Sequence, residues 1–320
     1  MTVLSSSNVV LLAGGVGGAR LAEGLINVPD INLSVICNIG DDEEFHGLHV
    51  SPDVDTMIYT LSNNINRSQG WGLKNDEYRA LKVLEKLGND VWMSLGDSDF
   101  GLHIYRSHRL KLGHTLSVIT SDIAKAFKIP ANIILPTNSL VPTMVRIAEG
   151  WISFQEYFVR NRCKPKVLEL NYKDVLNAEP NVDALDALNS ADIIVFAPSN
   201  PFLSLLPILS IPKIKSAIIS NKKAPKIAVS PLIAGKAVKG PADKLMGELG
   251  FIPDTSSICN IYKDFLNILI VDHQDISAKR NREVENIDIR AASILIDNIG
   301  KKIELANFVI NTANQLRSIK

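Results

Sequence analysis

The feature that most constrains the fold is a glycine-rich turn near the start of the chain. An apolar run at 9–13 leads into Gly14, Gly15, Gly17 and Gly18, and a helix-like pattern follows. Glycine lets the backbone bend sharply and leaves bare N–H groups that can approach an anion. The pattern therefore predicts a strand, a phosphate-binding turn and the start of a helix, as in a parallel α/β sheet.

Short apolar runs alternate with helical patterns and predict an α/β fold, a mostly parallel sheet flanked by helices. The runs lie at 9–12, 33–37, 167–170, 193–197, 226–230 and 268–271. The interval at about 53–150 is mainly helical instead, with patterns at 76–87 and 115–127 and two short apolar runs at 133–135 and 144–147. We therefore expect a single domain over 1–320, with a core at about 1–52 and 165–320. A mainly helical insertion at about 53–150 would cover the carboxyl edge of the sheet.

Composition excludes several classes of partner. Lys plus Arg and Asp plus Glu both number 34, so no net field favours nucleic acid or an anionic membrane. No stretch offers ~18 uninterrupted apolar residues, and no basic region precedes the first apolar run, as a signal peptide would require. The separated Cys37, Cys163 and Cys259 match neither a disulfide framework nor a zinc site. We expect a cytoplasmic protein with reduced thiols, no nucleic-acid partner and no membrane span.

An acidic stretch follows the second apolar run, at the same predicted sheet edge as the glycine turn. It contains Asp41 and Asp42, and Asp53 and Asp55 follow shortly. Two like charges ~4 Å apart repel by about 4 kcal/mol at an effective dielectric near 20, so converging carboxylates need a cation or shifted protonation. Mg²⁺ fits this demand because it prefers oxygen ligands and bridges carboxylates to phosphates. The alternative is a solvated loop in which Asp53 caps the following helix.

Further polar residues lie in predicted turns and strand ends. Asp97 belongs to a Leu-Gly-Asp-Ser-Asp segment that either orients a substrate hydroxyl or only begins a helix. Asn200 follows the run at 193–197 and offers a donor and an acceptor to a nucleobase or ribose. Arg20 offers a planar fork to a phosphate, and Lys239 lies in a basic loop before a helix. Each of these cations is also common at inert surface positions.

Taken in order, these motifs resemble the 2-phospho-L-lactate transferase family, CofD. The resemblance covers nearly the whole chain through AGGVGGAR, NIGDD, SPDVDTMIYTL, WGLKNDE, LGDSD, ILP, FQEYFVRNR, APSNP, VSPLIAGKAVKGPADKLM and YKDFL. It implies a Rossmann-like core with a helical insertion. It also implies transfer of a 2-phospholactyl or phosphoenolpyruvyl group to the deazaflavin Fo (7,8-didemethyl-8-hydroxy-5-deazariboflavin), in coenzyme F-420 biosynthesis. The donor would be a guanosine diphosphate ester, GMP would leave, Mg²⁺ would be required, and a homodimer is compatible with the family.

The resemblance also implies roles for individual residues. The glycines of the turn would contact the donor diphosphate, and Asp41 and Asp55 match positions associated with metal and deazaflavin binding. Asn200 and the loop at 230–240, with Ser230 and Lys239, would hold the guanosine nucleotide.

Two further expectations concern the acceptor side of the site. The hydroxyl of Fo would attack phosphorus, with Asp53 or Asp97 as candidates to accept its proton. Family members often carry a basic or bulkier residue at Ser94, and Arg or Lys at Ser98, so contacts near the deazaflavin would differ in this chain.

Two other functions remain open from the sequence. A non-catalytic nucleotide-binding regulator, similar to the related gluconeogenesis-factor type, would share the glycine turn but would have little use for the SPDVDT and LGDSD segments. A nicotinamide-dependent dehydrogenase would need a third glycine where Arg20 stands, and a separate ribose-binding acid after the second strand.

Overall fold

The computed structural model describes residues 6–276 and 286–319. Within these residues the strands are β1 (Ser7–Ala13), β2 (Ile31–Cys37), β3 (Glu43–Phe45), β4 (Leu48–Val50), β5 (Asn132–Ile134), β6 (Thr143–Ile147), β7 (Gly150–Ser153), β8 (Glu169–Tyr172), β9 (Ile193–Phe196), β10 (Lys226–Val229), β11 (Leu232–Ile233), β12 (Lys236–Ala237), β13 (Ile268–Val271) and β14 (Asp288–Ala291).

The α-helices are α1 (Gly15–Leu25), α2 (Pro52–Leu61), α3 (Arg79–Lys86), α4 (Asp97–Lys111), α5 (Leu116–Ala126), α6 (Val182–Ser190), α7 (Leu206–Leu209), α8 (Pro212–Ser220), α9 (Ala242–Glu248), α10 (Thr255–Tyr262) and α11 (Ile299–Ile319). Single π-helical turns occur at Glu156–Arg160 and Pro201–Leu205, and a 3-10 turn occurs at Val175–Asn177.

The central sheet confirms the predicted α/β fold. Its seven strands have the order β14-β13-β10-β9-β1-β2-β5, and each neighbouring pair is parallel. All residues of β9, β10 and β13 are buried, as expected of parallel strands covered on both faces. The strand order reverses at β1, because β2 lies on one side and β9 on the other. Ligands of such sheets bind outside the carboxyl ends of the strands at this switch point.

One predicted strand lies elsewhere. The run at 167–170 contributes to β8, which pairs antiparallel with β6 in a separate three-stranded sheet, β7-β6-β8. The exposure of β8 alternates along the strand, so only one face is covered, unlike the fully buried strands of the central sheet. The run at 144–147 belongs to the same small sheet, whereas the run at 133–135 forms β5 at the edge of the central sheet.

The chain between β2 and β5 is mainly helical, with the β3–β4 hairpin followed by α2, α3, α4 and α5. The helix predicted at 76–87 is α3. The helix predicted at 115–127 is α5, where the Thr115 side chain accepts a hydrogen bond from the Val118 backbone N–H (3.5 Å). Asp76 accepts from the Ser98 and Asp99 backbone N–H groups (2.8 and 3.1 Å) and so caps α4 from outside. These contacts fix where α4 begins.

A buried ion network anchors the helix that follows the glycine turn. Glu23 of α1 accepts from Lys302 Nζ (2.6 Å) and from Arg67 Nη2 (2.7 Å). Burial alone would raise the pKa of Glu23, but the hydrogen bonds and charges of the two cations lower it. The network therefore ties α1 to α11 and to the loop after α2.

No single described helix is long and apolar enough to cross a membrane. The pair Pro201–Leu209 and Pro212–Ser220 passes that test together, by length and composition only, with a bend of 84° between its halves.

Candidate active site

A cleft of about 480 Å³ opens at the carboxyl ends of β1 and β9. The glycine turn, the start of α2, the first turns of α4 and the loop at 230–241 contribute to its lining. A cleft of this size at the switch point of a parallel sheet is typical of a small-molecule site. The sheet topology therefore brings together segments that are far apart in the sequence.

The glycine turn forms one wall of this cleft. Gly15 has a φ of +63°, and a Cβ on Gly14 would overlap the carboxylate of Asp53. A Cβ on Gly17 would overlap the Pro198 backbone carbonyl, so the loop that follows β9 approaches the turn closely. Gly18 differs from the other three, because it faces Ala13 and does not line the cleft. This close approach to Ala13 is a packing reason for glycine at Gly18, and its expected contact with a diphosphate stays a prediction.

Asp41 and Asp53 converge beside this turn. Asn38 Nδ2 donates to Asp41 Oδ1 (3.3 Å) and to Asp53 Oδ2 (2.9 Å), and the other oxygen of Asp53 accepts from the Gly15 N–H (2.7 Å). The Asp53 carboxylate thus lies at the N-terminus of α1, where a negative charge is favoured. Asp53 does not cap its own helix α2, whose N-cap is Ser51.

Burial and mutual repulsion make this pair costly to ionise. Burial raises the pKa of Asp53 to about 6, with repulsion from Asp42 adding to the shift. Burial also raises the pKa of Asp41 well above its ordinary value, and repulsion from Asp53 and Asp42 adds to that increase. Among the residues that the structure describes, neither carboxylate forms an ion pair.

The residues present fit a hydrated divalent cation. In the described part of the chain no three Asp, Glu, His or Cys side chains cluster tightly enough to form a complete metal site. Mg²⁺ does not require one, because it keeps several waters and is commonly bound through one or two carboxylates plus substrate phosphates. A cation between Asp41 and Asp53 would offset the repulsion that raises the pKa of both.

Asp55 has a different partner. Its carboxylate accepts hydrogen bonds from both terminal nitrogens of Arg106, a fully buried side chain on α4. Arg106 also donates to the His49 backbone carbonyl (3.3 Å) and contacts His103 Nδ1 (3.3 Å). Asp55 also lines the cleft, but Asp53 is the carboxylate that shares Asn38 with Asp41, so the metal role expected of Asp55 stays a prediction.

Asp97 does not point into the cleft. Its carboxylate accepts from the Ala80 backbone N–H (2.9 Å) and lies 3.9 Å from Arg79, so it joins α4 to α3. Asp97 is absent from the cleft lining, so its place in the structure gives no support to the expectation that it accepts a substrate proton. Ser94, by contrast, is exposed and lines the cleft.

Two cations lie on the opposite side of the glycine turn. Arg20 and Lys239 both line the cleft, and Lys239 Nζ donates to the Gln69 backbone carbonyl (2.6 Å). Partial burial lowers the pKa of Lys239, and the positive charge of Arg20 adds to that effect. Among the described side chains neither cation has a carboxylate partner. The unneutralised positive charge favours an anion at this position.

Asn200 and Ser230 complete this side of the cleft. The Asn200 side-chain oxygen accepts from the Phe202 and Leu203 backbone N–H groups (3.0 and 3.2 Å). Its Nδ2 is buried and has no hydrogen-bond partner. An unpaired buried amide N–H₂ is costly, so it points to a ligand acceptor here. Ser230 Oγ accepts from the Leu232 N–H (3.1 Å) and orders its own turn.

Comparison with known proteins assigns the chain to a family. Residues 9–309 match the family described as 2-phospho-L-lactate transferase CofD. The chain belongs to the CofD family. A 2-phospho-L-lactate transferase of Methanococcoides burtonii is 32% identical over 304 residues, covering 95% of this chain and 98% of that protein. A phosphoenolpyruvate transferase of Streptomyces griseus is 33% identical over 317 residues, covering 97% and 99%.

A solved structure supports the fold of this CofD family member. A UPF0052 family protein from Bacillus halodurans has a TM-score of 0.61 and 16% sequence identity, covering 96% of this chain and 99% of that one. At that identity the likeness concerns the fold alone.

Several site residues of this CofD family member were not identified from the sequence. Asn38 bridges the carboxylate pair, and Gln155 Nε2 donates to the Asp41 backbone carbonyl (3.0 Å). Asn38 directly follows β2, which was the available clue. Asp99, His103 and Arg106 have i, i+4 and i+7 spacing on α4, which places three polar groups on one face of a helix. That spacing could have revealed the buried network.

Proposed function

We propose that this chain transfers a 2-phospholactyl or phosphoenolpyruvyl group from a guanosine diphosphate ester to the deazaflavin Fo, releasing GMP and giving coenzyme F-420-0 or its dehydro form. One observation carries the proposal beyond the family match. The cleft holds two carboxylates and two cations that have no oppositely charged partner among the described residues, together with the glycine turn at the start of α1. This arrangement is complementary to a diphosphate that carries its own metal ion.

The chain's residues bind and align the reactants in this proposal. Val16 and Gly17, in the first turn of α1, line the cleft, and N–H groups in a first helical turn have no partner within the helix; that of Gly15 is already bonded to Asp53. Arg20 and Lys239 neutralise diphosphate oxygens, and Asn200 Nδ2 donates to the nucleotide. In the transfer, the Fo hydroxyl oxygen bonds to the phosphorus that carries the three-carbon acid, and the bond from that phosphorus to the GMP oxygen breaks. Phosphoryl transfer of this kind depends mainly on positioning and charge stabilisation, so these contacts supply most of the catalysis.

We propose Asp41 and Asp53 as the residues that hold Mg²⁺. A bound divalent cation would neutralise charge on the diphosphate and stabilise the departing GMP. Asn38 donates to both carboxylates and so orients them, and the Gly15 N–H donates to Oδ1 of Asp53. Asp55 contributes indirectly, because its ion pair with Arg106 holds α2, the helix that carries Asp53, against α4.

The identity of the transferred group is tested by its product. Sequence identity does not distinguish the two donors, because the 2-phospho-L-lactate transferase is 32% identical to this chain and the phosphoenolpyruvate transferase is 33% identical. Fo is incubated with Mg²⁺ and either the lactyl or the enolpyruvyl donor, and the product is weighed by mass spectrometry. The two adducts differ by two hydrogens. GMP release without any Fo adduct would contradict the proposed transfer.

The non-catalytic regulator is not favoured by these observations. The relatives from Methanococcoides burtonii and Streptomyces griseus, each above 30% identity, are named as transferases. The cleft also contains Asp41 and Asp53, carboxylates that a nucleotide sensor does not need. Tight nucleotide binding with no Fo-dependent GMP release, at any Mg²⁺ concentration, would revive it. A cytoplasmic location and a homodimer complete the proposal, and light scattering of the purified chain tests the latter.

A further inference from the structure

The cleft lining also contains Asp99, a carboxylate to which the proposed transfer assigns no role. Asp99 lies in the first turn of α4 and lines the cleft, with 9% of its surface exposed. Val50, Met93 and Leu95 line the same cleft and belong to a small apolar cluster that also includes Phe100 of α4. Asp99 is therefore a polar group within an apolar surface.

One oxygen of Asp99 is held by the protein and the other is not. The Tyr59 hydroxyl donates to Asp99 Oδ1 (2.5 Å), and His103 Nε2 lies 3.5 Å from the same oxygen. No described residue donates to Oδ2. Burial alone would raise the pKa of Asp99, but hydrogen bonding from His103 and Tyr59 and the charge of Arg106 lower it. The side chain therefore presents an ionised acceptor.

Arg106 and Asp55 both face Nδ1 of His103. A guanidinium has only donors, so the contact between Arg106 Nη1 and His103 Nδ1 (3.3 Å) favours a lone pair on Nδ1, whereas Asp55 Oδ2 lies farther from it, at 3.7 Å. The shorter contact therefore favours the tautomer whose proton lies on Nε2, on the side of Asp99. His103 Nε2 is enclosed, and the acceptor that faces it among the described residues is Asp99 Oδ1 at 3.5 Å, so it acts on a ligand only through Asp99.

We propose that Asp99 recognises a hydrogen-bond donor, an N–H or O–H, on the non-reacting part of the acceptor heterocycle. Tyr59 and His103 are positioning residues that aim its carboxylate. This inference rests on the proposed transferase function. An ionised carboxylate disfavours the diphosphate end of the donor. A carboxylate of lowered pKa is also a weak base, so Asp99 contributes to binding rather than to proton transfer.

Guanine also carries N–H donors, so the experiment must separate the two substrates. Michaelis constants for Fo and for the donor are measured on the wild type and on Asp99→Asn, which keeps the shape but presents an amide donor. We expect the KM for Fo to rise about 10- to 100-fold, because a hydrogen bond to a charged group is lost. The kcat and the KM for the donor stay within about twofold.

Asp97→Asn is the matched control, since Asp97 lies on the same helix turn and outside the cleft. It leaves both KM values unchanged. A rise in the donor KM for Asp99→Asn would instead assign Asp99 to guanine and overturn the proposal. A fall in kcat alone, or no change at all, would overturn it as well.

The positioning role of His103 has its own test. The amide nitrogen of His103→Gln can occupy the place of Nε2, whereas that of His103→Asn cannot. We expect His103→Asn to raise the KM for Fo and His103→Gln to restore most of the affinity; equal effects would contradict positioning through Asp99. Tyr59→Phe, which retains the ring, raises the same KM and serves if Asp99→Asn does not fold.

Failure of the proposed function is distinguishable from failure of this inference. If the wild type forms no Fo adduct, equilibrium dialysis of Fo against the wild type and Asp99→Asn still measures recognition. Weaker dialysis binding by the variant supports the role of Asp99, and equal binding refutes it.

Discussion

Negative charge is balanced differently on two walls of the cleft, one formed by Asp41 and Asp53 and the other by Asp55 and Asp99. Asp41 and Asp53 share the amide of Asn38 and have no cationic partner among the described residues, and the pKa of each is raised by burial and then by repulsion. On the other wall Asp55 is paired with the buried Arg106, and Asp99 has a lowered pKa because hydrogen bonds and the Arg106 charge outweigh its burial.

This difference separates a ligand site from its supporting structure. A buried carboxylate with a built-in cation needs nothing further, and its ion pair positions α2 against α4. A convergent pair without one is stable only if it binds a proton or an external cation. We propose the unneutralised wall as the place for a metal and a diphosphate. On the other wall the Asp55–Arg106 pair holds α2 against α4, and Asp99 keeps one oxygen without a described donor, available to a ligand.

The largest expected effect comes from removing the built-in cation. Arg106→Met would leave Asp55 buried and unpaired, and we expect a loss of about 3–5 kcal/mol in unfolding free energy. Urea unfolding measures this loss. Arg106→Lys keeps the charge but not the two-pronged contact, and it should lose clearly less. Equal losses for the two variants would show that shape, not charge, matters at this position.

Removing the negative charge of Asp41 should lower activity without lowering stability. Asp41→Asn removes repulsion from the pair, so its unfolding free energy should equal or exceed that of the wild type. Its kcat should fall about 10²- to 10³-fold, a loss comparable to removal of one charge-stabilising group in other enzymes. GMP release assays and urea unfolding on the same preparation test both statements. A destabilised Asp41→Asn would refute the contrast between the walls.

Direct binding of the metal gives a smaller, independent measure. Mg²⁺ at ten times its dissociation constant should stabilise the wild type by about 1.4 kcal/mol through mass action. Asp53→Asn should abolish this stabilisation, whereas Asp97→Asn, outside the cleft, should retain it. Thermal unfolding with Mg²⁺ or with EDTA reports the difference. A full Mg²⁺ response in Asp53→Asn would exclude that residue as a ligand.

Much of the central sheet could be predicted from the sequence because parallel strands covered on both faces appear there as continuous apolar runs. Six of the predicted runs, counting the short one at 133–135, are central strands, and the glycine turn after β1 marked the ligand edge. The run at 167–170 leads into β8, where the exposed Glu169 and Asn171 alternate with the half-buried Leu170 and Tyr172, and it pairs in the small antiparallel sheet. That alternation is the local sign of a strand covered on one face, but it does not reveal that the partner strand is β6.

The site was less predictable because it depends on pairing between side chains far apart in the chain. Asp53 and Asp55 are equivalent in the sequence, but α2 turns Asp53 toward Gly15 and Asp55 toward Arg106. Asp97 and Asp99 diverge in the same manner on α4. Two residues of separation on a helix place side chains on different faces, so a cluster of acidic residues does not show which members converge.

The pH dependence of stability gives the subtlest expected difference between the walls. The folded pKa of Asp53 is about 6, above its ordinary value of 3.8, so between these values the folded state binds more protons than the unfolded state. Asp53 therefore lowers stability as pH rises from about 4 to 6, and its effect is constant above that. Asp99 has the opposite sign. Its folded pKa lies below 3.8, so its contribution is present above that value and is lost as the pH falls through the folded pKa. Urea unfolding in EDTA from pH 3 to 7 should show that Asp53→Asn loses stability less steeply between pH 4 and 6 than the wild type. Asp99→Asn should instead flatten the acid limb below pH 4, and the reverse pattern would mean that the charges of the two walls have been assigned the wrong way round.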